Sequence, residues 1–222
     1  MVDYSITELD ISDEELTELP DDIDKYTNLK TLNCNNNKIT SLDNLPNGQL
    51  AGYEDKPLGL PPTLEILYCR YNKLTSLDNL PLNLKELNCS DNQITSLDNL
   101  PPNLEILYCN DNKITSLDNL PPNLEVLYCL YNEITSLDNL PAKLEVLYCW
   151  YNKLTSLYNL PPTLKELYCD NNNLTSLDNL PSKLEVLLCY GNPLKYDFEH
   201  TLENIRNYNA SRNYNASRIL SS

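Results

Sequence analysis

Basic residues are scarce in this chain of 222 residues: 16 Lys and Arg stand against 32 Asp and Glu, for a net charge of −16. A nucleic-acid binder draws most of its affinity from Lys and Arg on phosphates, so the charge argues against that partner. It argues equally against an anionic membrane surface. No apolar run approaches the ~18 residues needed to span a bilayer. The opening Met1-Val2-Asp3-Tyr4-Ser5 lacks the basic start and apolar stretch of a secretory signal. A cytoplasmic location is therefore expected, in the producing cell or in a host cell that receives the protein. Phe, Met, Trp and His occur once each, against sixteen Tyr, and three of the four Gly (Gly48, Gly52, Gly59) fall in one short segment. Such skew marks a copied unit rather than a freely diversified core.

What is present is a period of 20. From Leu64 the pattern L-x-x-L-x-C-x-x-N-x-[IL]-T-S-L-x-N-L-P-x-x restarts in phase at Leu84, Leu104, Leu124, Leu144, Leu164 and Leu184. An earlier copy begins at Leu29 and continues through Leu32, Cys34, Asn37, Ile39, Leu42 and Leu45-Pro46. A looser one precedes it, with Ile6, Leu9, Ile11, Leu16 and Leu19-Pro20, and Glu14 where Asn is expected. Nine strands are predicted. Within a unit, Leu64 to Cys69 alternate inward and outward as a short strand requires. Asn72 then stands where the chain turns, able to donate to and accept from backbone groups that the turn leaves unpaired. Leu74, Leu77 and Leu80 fill the interior on the way back, and Pro81 favours an extended return. One such unit buries too little to fold alone. Stacking closes the deficit by covering both flat faces and joining the strands into a sheet ~40 Å long.

These residues are the leucine-rich-repeat signature, and over about residues 6–195 the chain is identified as a member of that family. Its 20-residue length and the phrase Leu-Thr-Ser-Leu…Leu-Pro-x-x-Leu resemble the short repeats of bacterial type III secreted effectors, the effector ubiquitin ligases among them. The Asn- and Tyr-rich wording is also similar to repeat proteins of giant DNA viruses. The resemblance implies an α/β-type solenoid: a right-handed curved coil with a parallel sheet on the concave face and a mostly extended or turn-built convex side. Effector ligases carry a separate catalytic domain after their repeats. The chain is expected to be too short for one, so ligase activity is not carried over. No cofactor is implied.

The eight Cys (Cys34, Cys69, Cys89, Cys109, Cys129, Cys149, Cys169, Cys189) all occupy one inward slot. In-register strands would hold their Cβ atoms near ~4.8 Å apart, beyond the usual disulfide range of ~3.5–4.5 Å. No four of them converge as a zinc site requires. Reduced, apolar core residues are expected. The alternative is an oxidised ladder in a secreted protein.

With the first Leu of each unit as position one, the outward side chains are those at positions three, five, seven and eight. Position five carries Tyr68, Tyr108, Tyr128, Tyr148 and Tyr168, with Asn88 between the first two. Positions seven and eight add Arg70 and Tyr71, Leu130 and Tyr131, and Trp150 and Tyr151. Units six and seven are richest, because Val126 and Val146 at position three complete an aromatic and aliphatic patch. Contiguous exposed groups of this kind mark interaction sites, and Trp and Tyr are enriched at interface hot spots. A plainer reading stands beside it: Tyr columns stabilise a sheet by ring stacking, and duplication alone copies them. The variable slots of Leu130, Tyr131 and Trp150 favour binding over that reading. Asp43, Asp78, Asp98, Asp118, Asp138 and Asp178 share another slot. Bound cations are one reading of it; turn-capping Asp on a solvated surface is the other, and Lys73, Lys85, Lys113, Lys153 and Lys165 interleave to favour it.

Residues 1–28 read as an acidic N-terminal cap with an irregular first repeat, and 29–195 as the repeats. A Gly- and Pro-containing loop is inserted at about 46–60. Phe198, Leu202 and Ile205 recur at helical spacing, which predicts a short C-terminal capping helix over 196–208 with Phe198 as an end plug. His200 has no catalytic companion and is placed on that helix's surface or edge. The tail 209–222 repeats Asn-Tyr-Asn-Ala-Ser-Arg and either continues the helix or is disordered. The expected protein is a monomeric, non-enzymatic scaffold without catalytic residues or metal. Its expected partner is a protein or peptide, basic to match the acidic surface, on the concave face. The rival is an extracellular recognition or adhesion protein with oxidised Cys and N-glycans at Asn209 or Asn215.

Overall fold

A computed structural model describes residues 2–43 and 59–220, the last eight of them (213–220) as backbone only. Nine three-residue strands follow one another: β1 (Glu8–Asp10), β2 (Thr31–Asn33), β3 (Ile66–Tyr68), β4 (Glu86–Asn88), β5 (Ile106–Tyr108), β6 (Val126–Tyr128), β7 (Val146–Tyr148), β8 (Glu166–Tyr168) and β9 (Val186–Leu188). They form one parallel sheet in sequence order, each strand bonded only to its neighbours in the chain. Register is constant, so the central Leu of every strand meets the central Leu of the next, Leu87 beside Leu107 beside Leu127. A 20-residue period with invariant inward positions permits no other register, since a slip of one would turn the Leu row outward. The expected solenoid of nine strands is thus observed among the described residues. Most of the expected 46–60 insertion lies outside them.

The interior is a stack of identical layers. Leu124, Leu127, Cys129, Ile134 and Leu137 of coil six are all buried, and the same slots are buried in the coils on either side. The slot of Leu80 is the weakest: Leu80 is buried, but Leu100, Leu120, Leu140, Leu160 and Leu180 are only half-buried on the returning side. The turn between coils is made by Asn79, Asn99, Asn119, Asn139, Asn159 and Asn179, all with φ between 61° and 65°. Asn is among the few side chains that tolerate this left-handed backbone, because it bonds locally.

The Asn at position nine ties each coil to the one before. Asn132 Nδ2 donates to the carbonyls of Cys109, Cys129 and Leu130 at 3.0, 3.2 and 3.1 Å, while its Oδ1 accepts from the Ile114 N–H at 3.0 Å. Asn72, Asn92, Asn112, Asn152, Asn172 and Asn192 occupy equivalent positions. The first coil has Glu14 in that slot, and Asn37 of the second coil accepts from the Glu14 N–H in addition to the usual N–H, that of Leu16.

Both ends are closed by off-period residues. At the N-terminus a single 3-10 turn, Ile23–Lys25, buries Ile23 completely, and Tyr26 packs edge-on against Tyr4 at 5.0 Å. At the C-terminus the helix expected over 196–208 runs instead as α1 (Leu202–Leu220). It starts late because Thr201 caps it, its hydroxyl accepting from the Asn204 N–H at 3.2 Å. It continues through both hexapeptides to Leu220. Ile205 is the fully buried plug, whereas Phe198 is half-buried before the helix, stacked on Tyr196 at 5.0 Å. His200 also precedes the helix and meets Tyr196 edge-on at 5.7 Å. Arg206 donates to the carbonyls of Pro181, Ser182 and Leu184, which ties the helix to the end of the stack. Among the described residues no helix is long and apolar enough to cross a membrane.

Candidate functional site

The strands end at position five, so only positions three and five project from the sheet as strand residues. Positions seven and eight lie in the turn just beyond it, which corrects the expectation that all four share one strand surface. Two backbone demands act there, and they separate the coils.

The first demand concerns the N–H at position seven. It goes to the position-five side chain of its own coil at Ser12, Asn35 and Ser90 and, where one can accept, to the position-seven side chain of the preceding coil elsewhere. Asn35 Oδ1 accepts from Arg70 at 2.7 Å, Ser90 Oγ from Asn110 at 3.2 Å, Asn110 Oδ1 from Leu130 at 3.2 Å and Asp170 Oδ1 from Tyr190 at 2.8 Å. This role explains why Ser90 and Asp170 are buried rather than exposed as expected. Leu130 and Trp150 have nothing to accept with, so the N–H groups of Trp150 and Asp170 lose this partner.

The second demand is a left-handed backbone at position eight. Asn36, Asp91, Asp111 and Asn171 have φ between 51° and 55° there, and Gly191 has 67°. These are the residue types such a backbone favours. At Gly191 a Cβ would also fall 2.3 Å from Asn171 Oδ1. Tyr71, Tyr131 and Tyr151 hold the same conformation at 51–53° without that aptitude.

The predicted residues fall into two groups. Tyr108, Tyr128, Tyr148 and Tyr168 form a continuous ladder with ring centroids 5.0, 4.3 and 4.0 Å apart. Trp150 flanks it, 6.5 Å from Tyr148. Tyr131 and Tyr151 stack at 4.5 Å with planes only 10° apart, and Val126 pairs with Val146 across neighbouring strands. Leu130 is half-buried. Burial, then the hydrogen bond with Tyr168, pushes the Tyr148 hydroxyl well above its ordinary range. Tyr68, Arg70 and Tyr71 are separate, because Asn88 interrupts the Tyr column. Arg70 is engaged within the chain, its Nε 2.8 Å from Asp91 Oδ2 and its guanidinium 4.4 Å from the centre of the Tyr71 ring.

Two acidic columns elsewhere are engaged by contacts within the chain. Asp98, Asp118 and Asp138 each accept from the Ser two residues earlier and from an Asn of the following coil. These are the turn caps expected of that column. Glu65 lies between Lys30 and Lys85 at 2.6 and 2.8 Å, and the two ammonium groups hold its carboxyl down at about 2. All eight Cys are free and buried. Burial pushes the Cys34 and Cys89 thiols up to about 12 and Cys189 to about 11. Several donate weakly to a carbonyl of the next coil, Cys69 to Asn88 at 3.3 Å.

The family model for leucine-rich repeats (two copies) matches residues 62–102, 82–122 and 102–142. The chain is a leucine-rich-repeat protein. It is similar to YopM, described as a leucine-rich effector protein from Yersinia pestis: 33% identity, 84% of this chain, 48% of that one, TM-score 0.71. YopM from Yersinia enterocolitica matches at 34% identity over 81% of this chain and 40% of that one, TM-score 0.59. The repeat domain of a Shigella effector matches at 28% identity over 93% of this repeat protein and 77% of that domain, TM-score 0.55. The chain spans less than half the length of either YopM chain. No curated protein matches.

Proposed function

We propose that this leucine-rich-repeat protein is a non-catalytic scaffold that binds a partner protein on its concave face, at the patch of coils six and seven. The reading rests on one observation: two successive coils give up both backbone fittings there, whereas coil three, with Arg70 and Tyr71, has Asn88 Oδ1 to accept from the following Ser90 N–H in Arg70's place. Leu130 and Trp150 forgo the acceptor role, and Tyr131 and Tyr151 occupy a backbone suited to Asn, Asp or Gly. Each departure costs stability, the left-handed Tyr about 1–2 kcal/mol and the lost hydrogen bond about 1. Residues held against such a cost are commonly held for function. The structural reading of the Tyr ladder does not extend to these four, since neither departure improves the sheet.

The likeness to bacterial effectors supports a role in contact with a host cell, with the repeat protein acting as a monomer in the cytoplasm. The test is capture from cytosolic extracts of candidate host cells, comparing the wild-type chain with Trp150→Ala/Tyr131→Ala. A captured protein that the double variant loses, while its circular dichroism stays that of the parent, is the expected result. Equal capture by a folded double variant would sink the reading.

A further inference from the structure

Asp170 is 7% exposed, and its Oδ2 is out of contact with solvent and without a hydrogen-bond partner. Its Oδ1 is used, accepting from the Tyr190 N–H. A buried carboxylate oxygen left unpaired is costly, and more so for a charged group than a neutral one. The next coil position on one side is Trp150, whose indole N–H is likewise buried and unpaired. On the other side is Tyr190, 70% exposed. Two residues before Asp170 stands Tyr168, the end of the Tyr ladder.

The chain itself shows what such a setting holds. Arg70 lies on the Tyr71 ring and pairs with Asp91. Arg212 lies 5.6 Å from the centre of the Tyr208 ring and pairs with Asp178 at 3.1 Å. Among the three arginines whose side chains are described, these two use the same combination of aspartate and aromatic ring. Asp170 stands between Trp150 and Tyr190 in the position-seven column, the same two residue types side by side.

We propose that Asp170 receives an arginine side chain of the bound protein, its guanidinium donating to Oδ2 and stacking on the flanking rings; this rests on the concave-face reading above. Arginine fits better than lysine, because a planar guanidinium can bond in its plane and stack across it. Net charge supports the assignment, since a chain of −16 attracts a basic segment toward this face. Entry requires the local side chains to open, and the indole N–H then exchanges its unpaired position for water or a partner group.

The chain's single Trp reports on the site directly. A neutral-ended peptide with one arginine is titrated against the full chain while Trp150 emission is followed, beside the same peptide carrying lysine or citrulline. The arginine peptide should give a saturable shift, lysine a response weaker by about fivefold or more, and citrulline none. Asp170→Asn, which keeps an acceptor for Tyr190, should weaken arginine binding at least about tenfold. Asp170→Ser should do the same, and it reproduces the bond that Ser90 makes to its next coil; whichever variant melts like the parent decides. A citrulline response equal to arginine, no saturable shift, or undiminished binding by a folded Asp170 variant overturns the proposal. If a captured protein is lost by Trp150→Ala/Tyr131→Ala but kept by a folded Asp170→Ser chain, the arginine falls and the binding face stands.

Discussion

Coils four and five differ from coils six and seven mainly at surface positions, and the difference marks out the proposed binding patch. The interiors match: Leu84, Leu87 and Cys89 are buried as completely as Leu144, Leu147 and Cys149. Beyond the strand, coil four offers Ser90-Asp91 and coil five Asn110-Asp111, which accept the next N–H and suit the left-handed turn. Coils six and seven offer Leu130-Tyr131 and Trp150-Tyr151, which do neither. One lattice carries both kinds of surface, so the lattice explains stability in each pair, and the second surface is the one proposed to bind a partner.

The largest expected effect breaks the shared half of the comparison. Asn132→Leu strips partners from the Ile114 N–H and the Cys109 and Cys129 carbonyls at once. At about 1–3 kcal/mol for each orphaned group, urea denaturation should show a loss of several kcal/mol. An equal loss is expected for Asn112→Leu in coil five, because this ladder does not distinguish the two regions. A loss confined to coil six would contradict the common lattice.

Alkaline pH gives the next largest effect. Thiols that ionise at 9.0 when free are raised to about 12 at Cys34 and Cys89 and to about 11 at Cys189. Above pH 9 the unfolded chain releases protons that the folded chain retains. The thiols' contribution is therefore full below 9 and lost as pH rises toward 12. Each fully shifted thiol removes about 1.4 kcal/mol per pH unit in that window. Melting temperature should fall steeply above pH 9, and native thiols should resist iodoacetamide at neutral pH. A flat profile or rapid native alkylation would refute the buried ladder.

Single changes in the patch should do least to stability. Tyr131→Asn relieves a left-handed Tyr, worth about 1–2 kcal/mol, but loses stacking on Tyr151, worth about 0.5–1.5. A shift within about 1 kcal/mol is expected. Leu130→Asn returns an acceptor to the Trp150 N–H and should stabilise by about 1 kcal/mol. Chemical denaturation reads both.

The lattice was legible because each interior slot holds one kind of residue at a constant period. The nine strands, the turn Asn and the buried Cys followed directly. The aromatic patch was legible as composition, though what sets it apart was not. The acceptor role at position seven depends on the path of the backbone past the strand, which spacing does not reveal. A signal for position eight was present in Asn36, Asp91, Asp111, Asn171 and Gly191, the residue types of a left-handed turn. The C-terminal cap was misplaced in detail, and the residues that close both ends lie off the period. Ile23 and Tyr26 belong to no repeat slot, Thr201 rather than Phe198 sets the helix start, and Arg206 reaches the last coil's carbonyls through tertiary geometry alone.

The central claim is that coils six and seven hold a binding surface at the expense of stability. Its most direct test replaces Leu130, Tyr131, Trp150 and Tyr151 by Asn together, copying the Asn35-Asn36 surface of coil two, and measures the urea midpoint beside partner capture. An unchanged or higher midpoint with capture lost is the predicted result. A markedly lower midpoint with capture intact would show that the patch serves the fold, and would contradict the account.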